Sequence, residues 1–326
     1  MNDARGRTAE SPTEIPALGW KDTALRVKDE ISDDHTSLVA AGVSFFGFLA
    51  FVPGLAAAIS IYGLVSEPSQ VESQLSGLLG NLPQEAQQLV TDQISRLAGQ
   101  STGALTWGTI VAVGLALWAA SSGMANLIEA TNVAYDEEDD RSFAVKRGLA
   151  LLFTIGAIAI IFATAFGVST VGPWVSDITG STAAGLGAQV VTWLLAGVAF
   201  VVGLAVLYRA GPNRDDPEWK WVSVGSIVAM TLWLVASVVF RVYVANFGSY
   251  NETYGSLAAV VILLFWLYIT CFVVLLGAQI NAELEHQTAV DTTVGADRPM
   301  GRRGAEMADT LGESRAEQTE FSPQET

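Results

Sequence analysis

Hydrophobic positions along this chain gather into six long runs separated by polar segments: Leu38–Tyr62, Ala104–Ile128, Gly148–Ser176, Ala183–Tyr208, Trp221–Phe240 and Gly255–Asn281. None contains Asp, Glu, Lys, Arg or His. A helix rises about 1.5 Å per residue, so roughly 20 apolar residues cross a hydrocarbon core of about 30 Å. Without water, each run must satisfy its own backbone hydrogen bonds, which an α-helix does. The pattern predicts an all-α membrane protein of six transmembrane helices in a bundle, crossing at about 38–62, 104–128, 148–173, 184–208, 221–246 and 255–281. It divides the chain into an N-terminal segment (1–36), a six-span domain (37–286) and a tail (287–326).

The polar segments add detail. Within residues 14–35, Leu18, Leu25, Val27 and Ile31 alternate with Lys21, Asp22, Lys28 and Asp29, beside Trp20. That pattern suits an interfacial helix lying along the membrane face. Residues 68–98 read as two short amphipathic helices between spans one and two, broken at Asn81-Leu82-Pro83, with Ala86, Leu89, Val90, Ile94 and Leu97 at helical spacing in the second. The pair either caps a cavity or rests on lipid headgroups. From about residue 287 the tail is polar, acidic and without periodicity, and is expected to be disordered.

Composition changes the picture little: 51% of the 326 residues are hydrophobic and 15% charged, against about 25% charged in soluble domains. Charge sets the orientation. Lys and Arg cluster before span one (Arg5, Arg7, Lys21, Arg26, Lys28), between spans two and three (Arg141, Lys146, Arg147), between four and five (Arg209, Arg214, Lys220) and after six (Arg298, Arg302, Arg303, Arg315), leaving only Arg96 and Arg241 opposite. By the positive-inside rule both termini are expected in the cytoplasm, in a cell (plasma or inner) membrane. No cleavable signal peptide is expected, because the first apolar run begins near residue 38 and is too long for a signal h-region. The formal net charge is −16. Such acidity fits a salt-loving host, or simply acidic tails. It opposes nucleic-acid binding, which needs a basic patch.

Few residues are candidates for chemistry. Pro53, followed by Gly54, falls near the middle of span one; a proline there removes a backbone donor, and transporters use such breaks to expose backbone dipoles. A kink healed by neighbouring helices is the alternative. Arg241 lies about 30 Å along its helix from Trp221, at the outer boundary, where it can snorkel or join Tyr243, Tyr250 and Tyr254 in a polar mouth. Asn126 and Glu129 share a face at the end of span two, and Gln279, Asn281, Glu283 and Glu285 end span six; these polar sets fit either an inner gate or interfacial caps. Ala116/Ala120 and Ala119/Gly123 give span two a small-residue face for close packing.

Ion-driven carriers place ionisable relays near the midplane, and this sequence has none there. His35 and His286, both outside the runs, have no companions with metal-ligand spacing. The lone Cys271 lies inside the sixth run, so no intrachain disulfide can form. No enzymatic activity and no cofactor is expected.

Three blocks carry a resemblance. The first is Ala40-Ala41-Gly42-Val43-Ser44-Phe45-Phe46 to Val52-Pro53-Gly54. The second is Leu117-Trp118-Ala119-Ala120-Ser121-Ser122-Gly123 through Asn132-Val133-Ala134-Tyr135, with Arg141 and Arg147 following. The third joins Tyr208-Arg209-Ala210-Gly211-Pro212, the stretch from Tyr250 to Leu257, Leu263-Leu264-Phe265-Trp266-Leu267-Tyr268, and Leu276-Gly277-Ala278-Gln279-Ile280-Asn281-Ala282-Glu283. Over about residues 20–286 the chain resembles the YihY/BrkB family of multi-pass membrane proteins, often mislabelled ribonuclease BN. The first block departs in reading Phe-Phe-Gly where a Phe-Tyr pair is common. The resemblance implies a six-helix bundle with both termini inside and a role in the cell envelope. It carries over no substrate and no catalytic residue. Two functions remain: a transporter or flippase for a small amphipathic or lipid-like substrate, and a non-transporting structural or interaction protein that binds membrane lipids or partners.

Overall fold

The computed structural model describes residues 3–63, 107–246 and 256–314. Every apolar run within them is helical, and the helices continue past the runs: α1 Ala17–Asp33, α2 Thr36–Gly63, α3 Trp107–Ala134, α4 Phe143–Thr179, α5 Thr182–Ala210, α6 Trp219–Asn246, α7 Ser256–Glu285 and a single turn, α8, Glu306–Asp309. Among the described residues, α3 to α7 are each long and apolar enough to cross a membrane. The number is six when α1 and α2, which meet at 62°, are taken as one broken element. That bend occurs at His35, whose backbone adopts a left-handed conformation (φ 50°). The 28 residues of α2 give it a length of roughly 42 Å. The predicted amphipathic pair at 68–98 lies outside the described residues.

Consecutive helices are neighbours from α2 through α7, and α7 returns to pack on α2 and α3, closing a ring. Small residues set the tightest approaches. A Cβ added at Gly123 would lie 3.2 Å from both Gly47 Cα and Ala50 Cβ, and one at Gly54 would lie 3.5 Å from Ala120 Cβ, so the small-residue face of span two packs on span one. The helix α2 continues through Pro53 to Gly63, so no transporter-style break interrupts it at Pro53. Proline removes only its own N–H, and the rest of the hydrogen-bond ladder carries the helix on. Helix α4 ends at Gly180, in the left-handed conformation (φ 65°) that glycine favours at a helix end. Ser181 then caps α5 by accepting from Ala184 N.

Packing is unequal along the ring. Fully buried residues concentrate at the end bearing most Lys and Arg, here termed the charged end: Ile128, Tyr135, Leu204, Leu207, Tyr208, Val222, Ala229, Val273, Val274 and Ala278 form its main core. Ala40, Val43, Ala130 and Leu275 join α2, α3 and α7 beside it. In the other half, no described side chain of α3 before Ala120, of α6 beyond Ala229 or of α7 before Val273 is fully buried.

The expectation of a disordered tail from residue 287 is corrected for residues 287–314. This stretch folds against the charged end, burying Gln287, Thr288, Thr292, Arg303, Met307 and Ala308. Its composition could not provide an apolar core, and polar contacts hold it instead. Ala289 N donates to Arg7 O (2.8 Å), Glu218 N to Thr292 O (2.9 Å) and Asp215 N to Gly304 O (2.9 Å). Gln287 Nε2 donates to Arg5 O (2.8 Å) and Arg7 Nη2 to Gly312 O (2.6 Å). The two terminal segments thus clasp one another beneath the bundle.

Candidate functional site

The last turns of α7 are polar yet buried, and each polar side chain ties α7 to a different element. Gln279 Nε2 donates to Thr36 Oγ1 (2.7 Å) and to Asp34 Oδ2 (3.1 Å) at the α1–α2 bend. Asn281 accepts from Gly225 N (2.7 Å) and donates to Val222 O (3.2 Å), pinning α7 to α6. Glu283 pairs with Arg26 of α1, whose Nη2 also donates to Gln287 Oε1 (2.8 Å). Glu285 accepts from Arg214 Nη2 (2.6 Å) and Thr292 Oγ1 (2.8 Å). The Arg214 guanidinium lies over the Tyr135 ring, 5.0 Å from its centroid. Burial opposes the charge on Arg214, but Glu285 beside it holds its pKa above the ordinary value.

The loops at the charged end are fastened in the same way. Asp139 accepts from Arg141 Nε (2.8 Å) and Nη2 (2.7 Å), and that hydrogen bonding holds its carboxyl below the usual range. Arg141 also donates to Gly211 O (2.8 Å), and Asn213 N donates to Asn132 Oδ1 (2.7 Å). Nearby acids go the other way: burial first, and neighbouring acids after it, push Glu30 up to about 7 and raise Asp34 and Asp136.

In the opposite half, aromatic side chains of α5, α6 and α7 meet between neighbouring helices and are not fully buried. Phe200 stacks on Trp233 (ring centroids 5.4 Å apart), Trp233 meets Trp266 (5.5 Å), and Phe240 stacks on Trp266 (5.5 Å) and meets Phe265 (6.0 Å). The surface recurring along α6 at Trp233, Ser237, Phe240 and Val244 stays partly exposed.

The residues singled out in the sequence do not share one set of contacts. Pro53 and Gly54 are half-buried on α2, where Gly54 faces Ala120 of α3. Asn126 donates to Ser122 O (2.8 Å) within its own helix. Glu129 is exposed, 4.0 Å from Lys146 Nζ. Arg241 is exposed near the far end of α6, and Asn281 is a buried brace between helices. Tyr250 and Tyr254 lie outside the described residues. Arg26, Arg214 and the aromatic face of α6 and α7 were not singled out as candidates. Aromatic residues at helical spacing in the fifth and sixth runs were the available signal for that face, whereas the partners of Arg26 and Arg214 lie far away in sequence.

A ring of apolar helices closed at one end by buried ion pairs defines a multi-pass helical membrane protein. The chain belongs to the family described as Virulence factor BrkB, which matches residues 27–300. It is similar to YfkH of Bacillus subtilis strain 168, named as ribonuclease-like, at 28% identity over 75% of this chain and 88% of that one. It is also similar to a UPF0761 membrane protein of Alkalilimnicola ehrlichii, at 30% identity over 86% of this chain and 63% of that one. A third relative, the UPF0761 membrane protein IL2447 of Idiomarina loihiensis, is 22% identical over 78% of this chain and 87% of its own length. No solved structure matches.

Proposed function

We propose that this protein is a transporter or flippase for an amphipathic, lipid-like substrate, set in the cytoplasmic membrane with both termini inside and serving the cell envelope. One observation carries the reading: among the described residues the charged end is closed by buried ion pairs, whereas in the opposite half the aromatic side chains of α5, α6 and α7 are only partly buried. Such an aromatic surface suits a cargo with an apolar body better than a bare ion, whose desolvation would need charged or carbonyl ligands. The closed end corresponds to a state shut toward the cytoplasm. The reading includes no enzymatic step and no cofactor. The ribonuclease-like name of YfkH is not extended to this chain, because a net charge of −16 works against phosphate-backbone binding.

The experiment is movement of fluorescent phospholipids in proteoliposomes, read with an external quencher. Wild-type protein is expected to accelerate movement over protein-free vesicles, and Trp266→Ala to reduce that acceleration. Movement no faster than in empty vesicles, across several headgroups, would favour a second reading, a non-transporting envelope protein that binds lipid or partners. The close Gly47–Gly123 packing and the clasp of the termini suit that second reading.

A further inference from the structure

Arg147 is the last charged residue before the apolar run of α4 begins, at the end of α4 that the proposed orientation turns toward the cytoplasmic leaflet. Its guanidinium lies over the Trp118 ring, 4.1 Å from the centroid, and donates through Nη2 to Trp118 O. Its Nε has no hydrogen-bond partner. The neighbouring cation Lys146 is served by Asp139 (3.6 Å) and Glu129 (4.0 Å), but among the described residues no carboxylate pairs with Arg147. The surface around it is apolar and exposed: Phe143 is 71% exposed, Val145 53% and Trp118 47%, and the Phe143 and Trp118 rings have centroids 6.3 Å apart. An arginine held against an aromatic face, with no carboxylate paired to it among the described residues, is electrostatically complementary to phosphate.

We propose that Arg147 and Trp118 form a lateral site between α3 and α4 for the phosphate of an anionic phospholipid of the cytoplasmic leaflet, with its acyl chains running along α4 beyond Arg147, past the exposed Leu152 and Ile155. Arg147 pairs with the phosphate, Trp118 fixes the guanidinium plane, and Lys146 adds positive potential at the surface. The inference rests on the proposed orientation and membrane role. As an entry point for substrate it deepens the transport reading, while binding itself is measured separately.

The test is native mass spectrometry of the full chain in mild detergent, titrated with dioleoyl phosphatidylglycerol. Retained lipid is expected on wild type, with about ten-fold weaker retention on Arg147→Gln, the size of one charge-assisted hydrogen bond lost. Arg147→Lys is expected to keep part of the binding, and Arg241→Gln all of it. Equal retention by wild type and Arg147→Gln overturns the site, as does an equal loss in Arg241→Gln. If Arg147→Gln fails to fold, Trp118→Leu carries the test, and unchanged retention there overturns it too. Inorganic phosphate at millimolar concentration is expected not to compete; competition would mean a free-anion pocket and overturn the lipid assignment. Arg147-dependent binding without lipid movement in vesicles defeats the transport reading and leaves the site standing. Movement with Arg147-independent binding defeats the site alone.

Discussion

Arg214 and Glu285 form an ion pair with Nη2–Oε2 of 2.6 Å and both side chains fully buried. It joins the loop before α6 to the last residue of α7, and Thr292 Oγ1 supplies a further donor to the same carboxylate oxygen. Removing one partner leaves the other charge buried and uncompensated, which costs about 3–5 kcal/mol. Arg214→Met is therefore expected to lower the unfolding midpoint of the purified protein sharply. Arg214→Met combined with Glu285→Leu is expected to recover much of that loss, because the desolvation cost goes with the charges. A double variant no more stable than the single one would show that the pair acts through hydrogen-bond geometry, not charge balance.

The crossing of α6 over α7 predicts a contrast between two glycines. A Cβ added at Gly225 would run into the Gly277 carbonyl oxygen and approach Asn281 Oδ1 to 2.6 Å, whereas one at Gly42 meets nothing within 4 Å. Gly225→Ala is expected to destabilise by about 1–3 kcal/mol or more, since the obstacle is backbone and cannot turn away. It should also break the bond from Gly225 N to Asn281. Gly42→Ala is expected to be neutral or slightly stabilising, because alanine is the better helix former. Parallel thermal melts of the two variants check this.

Much of the architecture was legible because the membrane imposes length and polarity on each crossing segment, and the runs satisfied both. The small-residue face of span two was legible for the same reason, as Ala120 and Gly123 recur at helical spacing and do meet α2. The roles of Asn281, Glu283 and Glu285 were harder to read. A polar residue at the end of an apolar run has the same local pattern whether it faces water or a buried partner. Here the partners are Gly225, Arg26 and Arg214, far away in the chain. The ordered tail was hidden likewise, since hydrophobic periodicity carries no signal for a segment held by hydrogen bonds, from side chains and backbone, to the carbonyls of Arg5, Arg7 and Ala9.

The acidic groups under the bundle predict a pH dependence. Burial, with Glu283, Asp34, Asp136 and Asp33 after it, lifts Glu30 from 4.5 to about 7. Between those values the folded protein binds more protons than the unfolded chain, so stability falls as pH rises across that window and levels off above it. Asp34 and Asp136 shift in the same direction. Unfolding midpoints measured across this range are expected to decline toward neutrality, and Glu30→Gln to flatten the decline. A wild-type profile that rises with pH would contradict this arrangement of charges.

The clasp of the termini predicts how the tail responds to protease. Arg303 is almost fully buried, and its guanidinium donates to four carbonyls: Ala308 O (2.7 Å), Ala289 O (2.8 Å), Arg298 O (3.1 Å) and Val290 O (3.2 Å). Its own N–H donates to Asp309 Oδ1 (2.8 Å). Those carbonyls come from the first, middle and last parts of the folded tail, so one side chain gathers the whole loop. Arg303→Ala strands buried carbonyls, each costing about 1–3 kcal/mol, more than a segment with few buried apolar residues can absorb. Limited proteolysis with a protease that does not cut at arginine is expected to leave residues 287–314 intact in wild type and to cleave them rapidly in Arg303→Ala. The membrane core is expected to stay protected in both, because α2 to α7 are held by contacts that the tail does not supply. Equal cleavage in the two proteins would mean that the tail is held by its contacts with Arg7 and Arg26 alone.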